Sequence, residues 1–272
     1  MADNKTNGGG FFADKNSNAY ILFYATVMVV IVAALLATVA MSLKSRQEEN
    51  ALNEKKMAIL TALSVDTEMV KYDDYIVAIA VDTLGRKIEG IDGVQTIGLL
   101  SDLKGTFENG VLPLFVAADG RVVVPVTGAG LWGPIWGYVA LRSNLNYIDG
   151  IVIDHASETP GLGAEIATEA HQAMYKGKRL FDTAGRFTSV TLKKGGAATS
   201  GYRAYHEVDA ITGGTKTSDG VTAMLSESLS NYVPLFRRNR STVRRARLEV
   251  PMAASYGSVS DSDDADENNN NN

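Results

Sequence analysis

The sequence contains no cysteine and only three histidines among its 272 residues. The lack of cysteine excludes disulfides, thiolate nucleophiles and cysteine-ligated iron–sulfur or zinc sites. His155, His171 and His206 lie far apart in the chain, so we expect no self-contained metal site. We therefore expect no catalytic residue in the chain itself and a chemistry that depends on a borrowed cofactor.

Charged residues are absent from residues 19–43, which are strongly apolar. A helix of this length would measure about 37 Å at ~1.5 Å per residue, enough to cross a hydrocarbon core of ~30 Å. The alternatives are a buried helix, which seldom has so long an uncharged run, and a signal peptide, whose apolar stretch is only ~7–15 residues. The run therefore predicts a retained transmembrane helix after a short leader, residues 1–18. Flanking lysine and arginine slightly favour a cytoplasmic C-terminal side, but a large domain crosses regardless, so the orientation stays open.

Residues 44–63 continue with helical periodicity, and Leu52, Ile59, Leu60 and Leu63 fall on one face. This amphipathic helix is either an extension between the membrane and a domain or the first helix of that domain.

A domain over residues 64–236 is predicted to be α+β with a mainly antiparallel sheet, because short apolar runs alternate with few helical patterns. The predicted strands are residues 75–81, 114–118, 121–126, 135–141, 150–155 and 189–194. Asp119 and Gly120 predict a two-residue hairpin turn. Helices are predicted at residues 164–175 and 219–232, the second with Ser218 as its cap.

The last segment, residues 237–272, combines an arginine-rich block, an acidic block and a run of asparagines. Opposed charge blocks with a low-complexity end predict a disordered charged tail. A basic run also occurs in nucleic-acid-binding proteins. Because no aromatic residues interleave with the arginines, we expect no nucleic-acid partner.

Two glycine-rich segments carry the functional signal. Residues 212–215 (Thr-Gly-Gly-Thr) precede a predicted helix, whose free N–H groups and dipole favour a nearby phosphate. Residues 158–163 (Glu-Thr-Pro-Gly-Leu-Gly) form a turn with exposed amides, which suits a flat ring lying against the backbone. Taken singly, each segment is also typical of an ordinary helix cap or strand-to-helix turn.

Together with the anchor and residues 130–133 (Gly-Leu-Trp-Gly), these segments resemble the FMN-binding domain in the C subunits of bacterial Na⁺-translocating NADH:quinone reductases. The resemblance covers residues 19–236 and extends, less closely, to the G subunits of Rnf complexes. In this family the pattern Asp-x-x-(Ser/Thr)-Gly-Ala-Thr is recognised by a flavin transferase, which takes FMN from FAD and joins it to the last threonine through a phosphoester bond. The matching residues here are Asp209, Thr212, Gly213, Gly214 and Thr215. Gly214 stands where the family usually has alanine.

The resemblance implies that FMN is the cofactor and that Thr215 is its attachment point. Thr217 and Ser218 also offer hydroxyls, but neither has the expected spacing from Asp209. We expect further FMN contacts from Thr159, Gly161, Leu162, Gly163 and Thr212. Leu131 and Trp132 are further candidates, although apolar residues of strands more often belong to the core. Glu158 either accepts a hydrogen bond in the site or is exposed.

The implied function is that of a membrane-anchored electron-transfer protein within such a reductase. Electrons would pass from NADH through a separate flavin and iron–sulfur protein to this FMN, then to a covalent FMN of the B subunit and to quinone, coupled to Na⁺ export. The expected location is the bacterial cytoplasmic (inner) membrane, with the domain on the periplasmic side. The expected partners are the B subunit, membrane subunits near the anchor, the flavin transferase and the lipid bilayer. The alternatives are an Rnf-type G subunit and a flavin-free anchored binding or assembly protein.

Overall fold

The computed structural model describes residues 18–197, 201–238 and 240–256. The predicted leader and the acidic, asparagine-rich end therefore lie outside the described residues, apart from Asn18. The chain divides into two compact units, Met1–Asn53 and Glu54–Asn272.

A single helix, α1 (Asn18–Ala62), runs through both the predicted transmembrane helix and the predicted amphipathic helix. Within the part of the chain that the structure describes, it is the one helix long and apolar enough to cross a membrane. The hydroxyls of Thr26 and Thr38 donate to the carbonyls four residues earlier, at 2.8 Å in both cases. These two hydroxyls are therefore satisfied within the helix, as polar groups in a lipid environment need to be.

The last turn of α1 belongs to the globular unit. Ile59, Leu60 and Leu63 are buried, as their shared face predicted. Beyond the helix, Arg121 donates from Nη1 to the carbonyl of Leu63 and to Asp149 Oδ2, at 2.6 Å each. Because an unpaired carbonyl at a helix end is costly to bury, Arg121 stabilises the junction between this helix end and the sheet. The end of α1 is therefore the first helix of the domain.

The sheet has five antiparallel strands in sequential order. They are β1 (Ile76–Asp82), β2 (Val111–Ala117), β3 (Val122–Ala129), β4 (Pro134–Leu141) and β5 (Ile148–His155). A separate parallel pair consists of β6 (Thr191–Lys193) and β7 (Glu207–Asp209). The prediction of an α+β fold with a mainly antiparallel sheet is confirmed.

The β2–β3 hairpin is confirmed, but its turn is longer than predicted. Ala117 donates its N–H to the carbonyl of Arg121 and accepts from the N–H of Gly120, each at 2.9 Å. Gly120 alone in the turn has a positive φ, of 90°. Residues 118–120 therefore form a three-residue loop whose glycine occupies the left-handed position.

Seven further α-helices are present among the described residues, and most of them are short. They are α2 (Tyr72–Tyr75), α3 (Gly93–Gly98), α4 (Leu103–Glu108), α5 (Glu169–Ala173), α6 (Thr215–Ser230), α7 (Val233–Arg238) and α8 (Arg240–Leu248). Helix α6 packs on the sheet at β3 through its buried residues Val221, Met224 and Leu225. The helix predicted at residues 164–175 is instead a 3₁₀ turn (Gly163–Ala167) followed by α5. The extended backbone of Thr168 separates the two and caps α5.

The prediction of a disordered tail from residue 237 is wrong for residues 240–250. Helix α8 buries Val243 and Ala246, which belong to the main core, and Val250 is buried after it. The Thr242 hydroxyl also donates to the carbonyl of Gly85 at 2.9 Å. The arginines obscured this helix in the sequence, because its apolar face consists of only a few small residues between charged ones.

Val243→Ser should lower the free energy of unfolding by about 2 kcal/mol, because it removes buried apolar surface and places a hydroxyl in the core. Arg244→Ser, at the exposed neighbouring position, should change it by less than about 0.5 kcal/mol. Urea denaturation of both variants measures the difference. Equal small effects would mean that α8 does not belong to the folded domain.

Candidate functional site

Three segments of the globular unit meet at one buried carboxylate. The first is the turn between β3 and β4, residues 130–133, closed by a 2.8 Å bond from the N–H of Gly130 to the carbonyl of Gly133. The second is the loop after β5, residues 156–163. The third is the first turn of α6. Glu158 lies where they meet and is only 4% exposed.

The Glu158 carboxylate bonds to both of the other segments. Oε1 accepts the backbone N–H of Trp132 at 2.9 Å, and the N–H of Leu131 also bonds to the carboxylate. Oε2 accepts the hydroxyl of Thr217, in α6, at 2.6 Å. The N–H of Glu158 itself donates to His155 Nδ1 at 3.2 Å. Of the two alternatives for Glu158, the structure has the hydrogen-bonded one.

Burial would raise the pKa of Glu158, but the hydrogen bonds from Thr217, Trp132 and Leu131 outweigh it, and the pKa lies below its ordinary value. These donors favour the ionised carboxylate. The carboxylate is therefore charged at neutral pH, next to the positive end of the α6 dipole.

Two glycines leave room for this carboxylate. A Cβ at Gly130 would lie 2.4 Å from Glu158 Oε1. A Cβ at Gly163 would lie 2.4 Å from both Glu158 Oε2 and Thr217 Oγ1. Both distances are far below van der Waals contact, so a side chain at either position would displace the carboxylate.

Helix α6 begins at Thr215, earlier than predicted, and the predicted cap Ser218 lies inside its first turn. The Ser218 hydroxyl accepts the N–H of Ile211 at 3.0 Å. Thr217 and Ser218 are almost completely buried, whereas Thr215 is half-buried and Thr212 is exposed. The candidate attachment residue is thus the first residue of the helix, and its two alternatives face inward.

Glycine is required at the two positions before Thr215 for different structural reasons. Gly213 has a φ of 75°, and a Cβ there would lie 2.6 Å from Leu162 Cδ2. Gly214 has an ordinary φ but is buried, and a Cβ there would lie 2.8 Å from Ile211 Cγ2. In this chain Ile211 therefore occupies the space that the methyl group of the family's usual alanine would need.

Large apolar side chains surround these segments in exposed positions. Leu131 is 52% exposed, Trp132 66% and Leu162 43%. The core alternative for Leu131 and Trp132 is therefore wrong. Trp136, at 36%, is a further exposed aromatic residue, on β4, that lies outside the sequence motifs. Exposed apolar groups clustered around a turn are typical of ligand sites.

The remaining candidates lie at the edge of this arrangement. The side chain of Thr159 is exposed, and its carbonyl accepts the N–H groups of Leu162 and Ala164, at 3.1 Å each. Gly161 has a φ of 74°, and a Cβ there would meet no atom within 4 Å. Asp209 ends β7, where its Oδ1 accepts the N–H of Ala197 at 2.6 Å. Among the described residues, no three histidine, aspartate or glutamate side chains form a metal site.

Known proteins resemble this chain over the region that contains the site. An FMN-binding domain profile matches residues 130–230, which contain all three segments. A crystal structure of the C subunit of the Na⁺-translocating NADH-quinone reductase from Parabacteroides distasonis is 37% identical, with a TM-score of 0.63 over 72% of this chain and 97% of that chain. This chain belongs to the family of these C subunits.

One more distant relative agrees with the family assignment, and one more distant structure shares the fold. The C subunit of the Na⁺-translocating NADH-quinone reductase from Pseudomonas aeruginosa is 28% identical over 78% of this chain and 92% of its own length. A crystal structure named NqrC from Shewanella oneidensis is 24% identical and has a TM-score of 0.54 over 71% of this chain and 98% of that chain. The second likeness concerns the fold alone.

A buried histidine in α5 follows the second segment of the site. His171 Nε2 lies 3.2 Å from the hydroxyl of Tyr175, and Nδ1 is buried without a hydrogen-bond partner among the described residues. Burial lowers the pKa of His171 from 6.5 to about 4, against a smaller opposing effect of Asp209. The imidazole is therefore neutral in the folded protein above about pH 4.

The free energy of unfolding should fall as the pH is lowered from about 6.5 towards about 4, by up to roughly 3 kcal/mol, because only the unfolded state protonates His171 there. In His171→Gln this contribution is missing. Urea denaturation at several pH values measures the difference between the two proteins. Parallel curves for wild type and variant would contradict the prediction.

Gly163→Ala should lower the free energy of unfolding by about 2 kcal/mol, because its methyl group would collide with Glu158 and Thr217. Gly98→Ala is the matched control, since a Cβ there meets no atom within 4 Å. Alanine is also the better helix former, so the control should leave stability unchanged or raise it by up to about 1 kcal/mol. Thermal unfolding followed by circular dichroism compares the two.

Proposed function

We propose that this chain is the membrane-anchored, electron-transferring C subunit of an Na⁺-translocating NADH:quinone reductase and carries FMN on Thr215 through a phosphoester bond. The names of its relatives and the FMN-binding match support this assignment. The observation that carries the proposal is that two loops and the first turn of α6, which begins with Thr215, meet at the carboxylate of Glu158.

The position of Thr215 suits a phosphate. The N–H groups of the first helical turn have no partners within the helix, and the positive end of the dipole stabilises negative charge there. Thr217 and Ser218 are buried and hydrogen-bonded, so Thr215 is the hydroxyl of the first turn that remains partly accessible. Lys216 is exposed beside it and adds a positive charge.

The surroundings suit a flat aromatic ring. Leu131, Trp132 and Leu162 expose apolar surface at the convergence of the segments. Covering them would remove this surface from water, which favours binding. We propose that these side chains hold FMN together with Thr159, Gly161, Gly163 and Thr212. Glu158 would position them through its hydrogen bonds to Trp132 and Thr217. FMN supplies the electron-transfer chemistry when bound.

The proposed transfer of FMN from FAD requires only one reacting group of this chain, the hydroxyl of Thr215. A bond forms between Thr215 Oγ and the phosphorus of the FMN half, and the pyrophosphate bond of FAD breaks. AMP leaves with the bonding electrons, and the hydroxyl proton is released. No electron is gained or lost in this step, so the flavin transferase needs no redox partner. Asp209, Thr212, Gly213 and Gly214 form the proposed recognition segment.

The proposed electron path runs from NADH, through a flavin and iron–sulfur protein, to this chain and then to the B subunit and quinone. Na⁺ export belongs to the whole complex, because one membrane helix provides no channel by itself. We place α1 in the bacterial cytoplasmic membrane, with residues 64–236 and α8 on the periplasmic side. The B subunit and membrane subunits near the anchor would be the partners.

Two alternatives predict different behaviour. An Rnf-type G subunit would carry FMN in the same way but assemble with a different complex, and the names of the relatives favour the quinone reductase. A flavin-free anchored assembly protein would remain unmodified. The exposed apolar cluster together with the partly accessible Thr215 favours the flavin carrier.

Coexpression of the full chain with a flavin transferase should give a fluorescent band after denaturing electrophoresis and the mass of FMN on the peptide containing Thr215. Thr215→Ala should abolish both and change the free energy of unfolding by less than about 1 kcal/mol. Thr183→Ala, which removes an exposed hydroxyl elsewhere, should retain both signals. An unmodified wild-type chain beside an active transferase would refute the proposal.

A further inference from the structure

The first turn of α6 contains three hydroxyls, of which only that of Thr215 has the expected spacing from Asp209. Thr215, Thr217 and Ser218 lie within four residues of each other. A transferase that approaches this turn meets chemically similar groups. The structure separates them, because Thr217 is 1% exposed and Ser218 2%, whereas Thr215 is half-buried.

We infer that Glu158 is a positioning residue that selects Thr215 for modification by holding Thr217 inside the protein. The inference rests on the proposed function, since it concerns the same attachment site. It assigns to Glu158 a role in maturation that is separate from any contact with bound FMN.

The geometry of an α-helix explains how one hydrogen bond achieves this selection. Residues two apart are rotated by about 200° around the helix axis. A contact that holds Thr217 towards the loop after β5 therefore leaves Thr215 on the opposite side of the helix. The contact is the 2.6 Å bond from the Thr217 hydroxyl to Glu158 Oε2, which joins α6 to the loop after β5.

Water does not readily replace Thr217 in this hydrogen bond, because both Thr217 and Glu158 are buried. Glu158 is 4% exposed and ionised. If Thr217 rotated outward, the carboxylate would lose a donor without gaining water, which is costly for a buried charge. Ser218 adds a second constraint on the same turn through the N–H of Ile211, at 3.0 Å.

The other carboxylate oxygen extends this positioning to the exposed apolar residues. Oε1 holds the N–H of Trp132, and the N–H of Leu131 bonds to the same carboxylate. Glu158 therefore fixes the position of the first turn of α6 relative to the turn of residues 130–133. Gly130 and Gly163 keep the surrounding space free for it.

The test uses the full chain, a flavin transferase and FAD, and it measures the rate of FMN attachment and its position by peptide mass spectrometry. Glu158→Ala and Thr217→Val should lower the rate at Thr215 by about tenfold or more, because each leaves a buried partner unpaired. In Glu158→Ala, part of the FMN should appear on Thr217. Thr217→Ser restores the hydroxyl and should restore the rate at Thr215.

Two further variants separate positioning from charge and from general stability. Glu158→Gln retains the shape: its amide oxygen accepts the N–H of Trp132, and its NH2 group donates to the Thr217 hydroxyl oxygen, so its attachment rate should stay within about threefold of wild type. Ser228→Ala removes a buried hydroxyl from the same helix, where its Oγ bonds to the backbone of Thr127 at 3.1 Å. It should lower stability without changing the rate or position of attachment.

The outcomes distinguish the inference from the proposed function. An unmodified wild-type chain would overturn both. A modified wild type would leave the proposed function intact, and wild-type rates at Thr215 alone in Glu158→Ala and Thr217→Val would then overturn the inference. A loss of rate in Ser228→Ala equal to that in Thr217→Val would also overturn it, because general destabilisation would explain the effect.

Discussion

The buried carboxylate of Glu158 is the interaction on which the candidate site depends. It is a charge removed from water, and burial of this kind is tolerated only when hydrogen bonds replace hydration. The replacement comes from the N–H groups of one turn and the hydroxyl of Thr217 in another segment. Because the donors belong to different elements, satisfying the charge also assembles the loops. The hydrogen bonds of one carboxylate therefore hold the loops of the candidate site in a defined arrangement.

The rest of the domain provides a rigid support for these loops. Five antiparallel strands carry apolar side chains against α6, and the core continues into α8. Elsewhere in the domain, Arg121 links the end of α1 to the sheet through charged hydrogen bonds. This division suits a cofactor carrier. A stable scaffold holds the attachment turn, and the redox chemistry belongs to the bound group rather than to a reactive side chain.

Local patterns predicted much of this organisation and failed at identifiable places. The apolar runs located the strands of the main sheet, since alternation and β-branched residues are local signals. The start of α6 was misplaced because Ser218 looks like a cap, whereas its hydroxyl accepts an N–H from Ile211 inside the fold. Helix α8 was missed because arginines dominate its composition. Its burial depends on Val243 and Ala246 meeting the core.

The sequence alone determined the presence of a long apolar helix, the antiparallel domain and the motif that ends in Thr215, because each depends on residues close together in the chain. Only the tertiary structure decided that Glu158 is buried, that Leu131 and Trp132 are exposed, and that Thr217 and Ser218 face inward. Each of these depends on contacts between residues distant in sequence. A pattern of residue types identifies which groups are available, whereas packing decides which of them water and a partner enzyme reach.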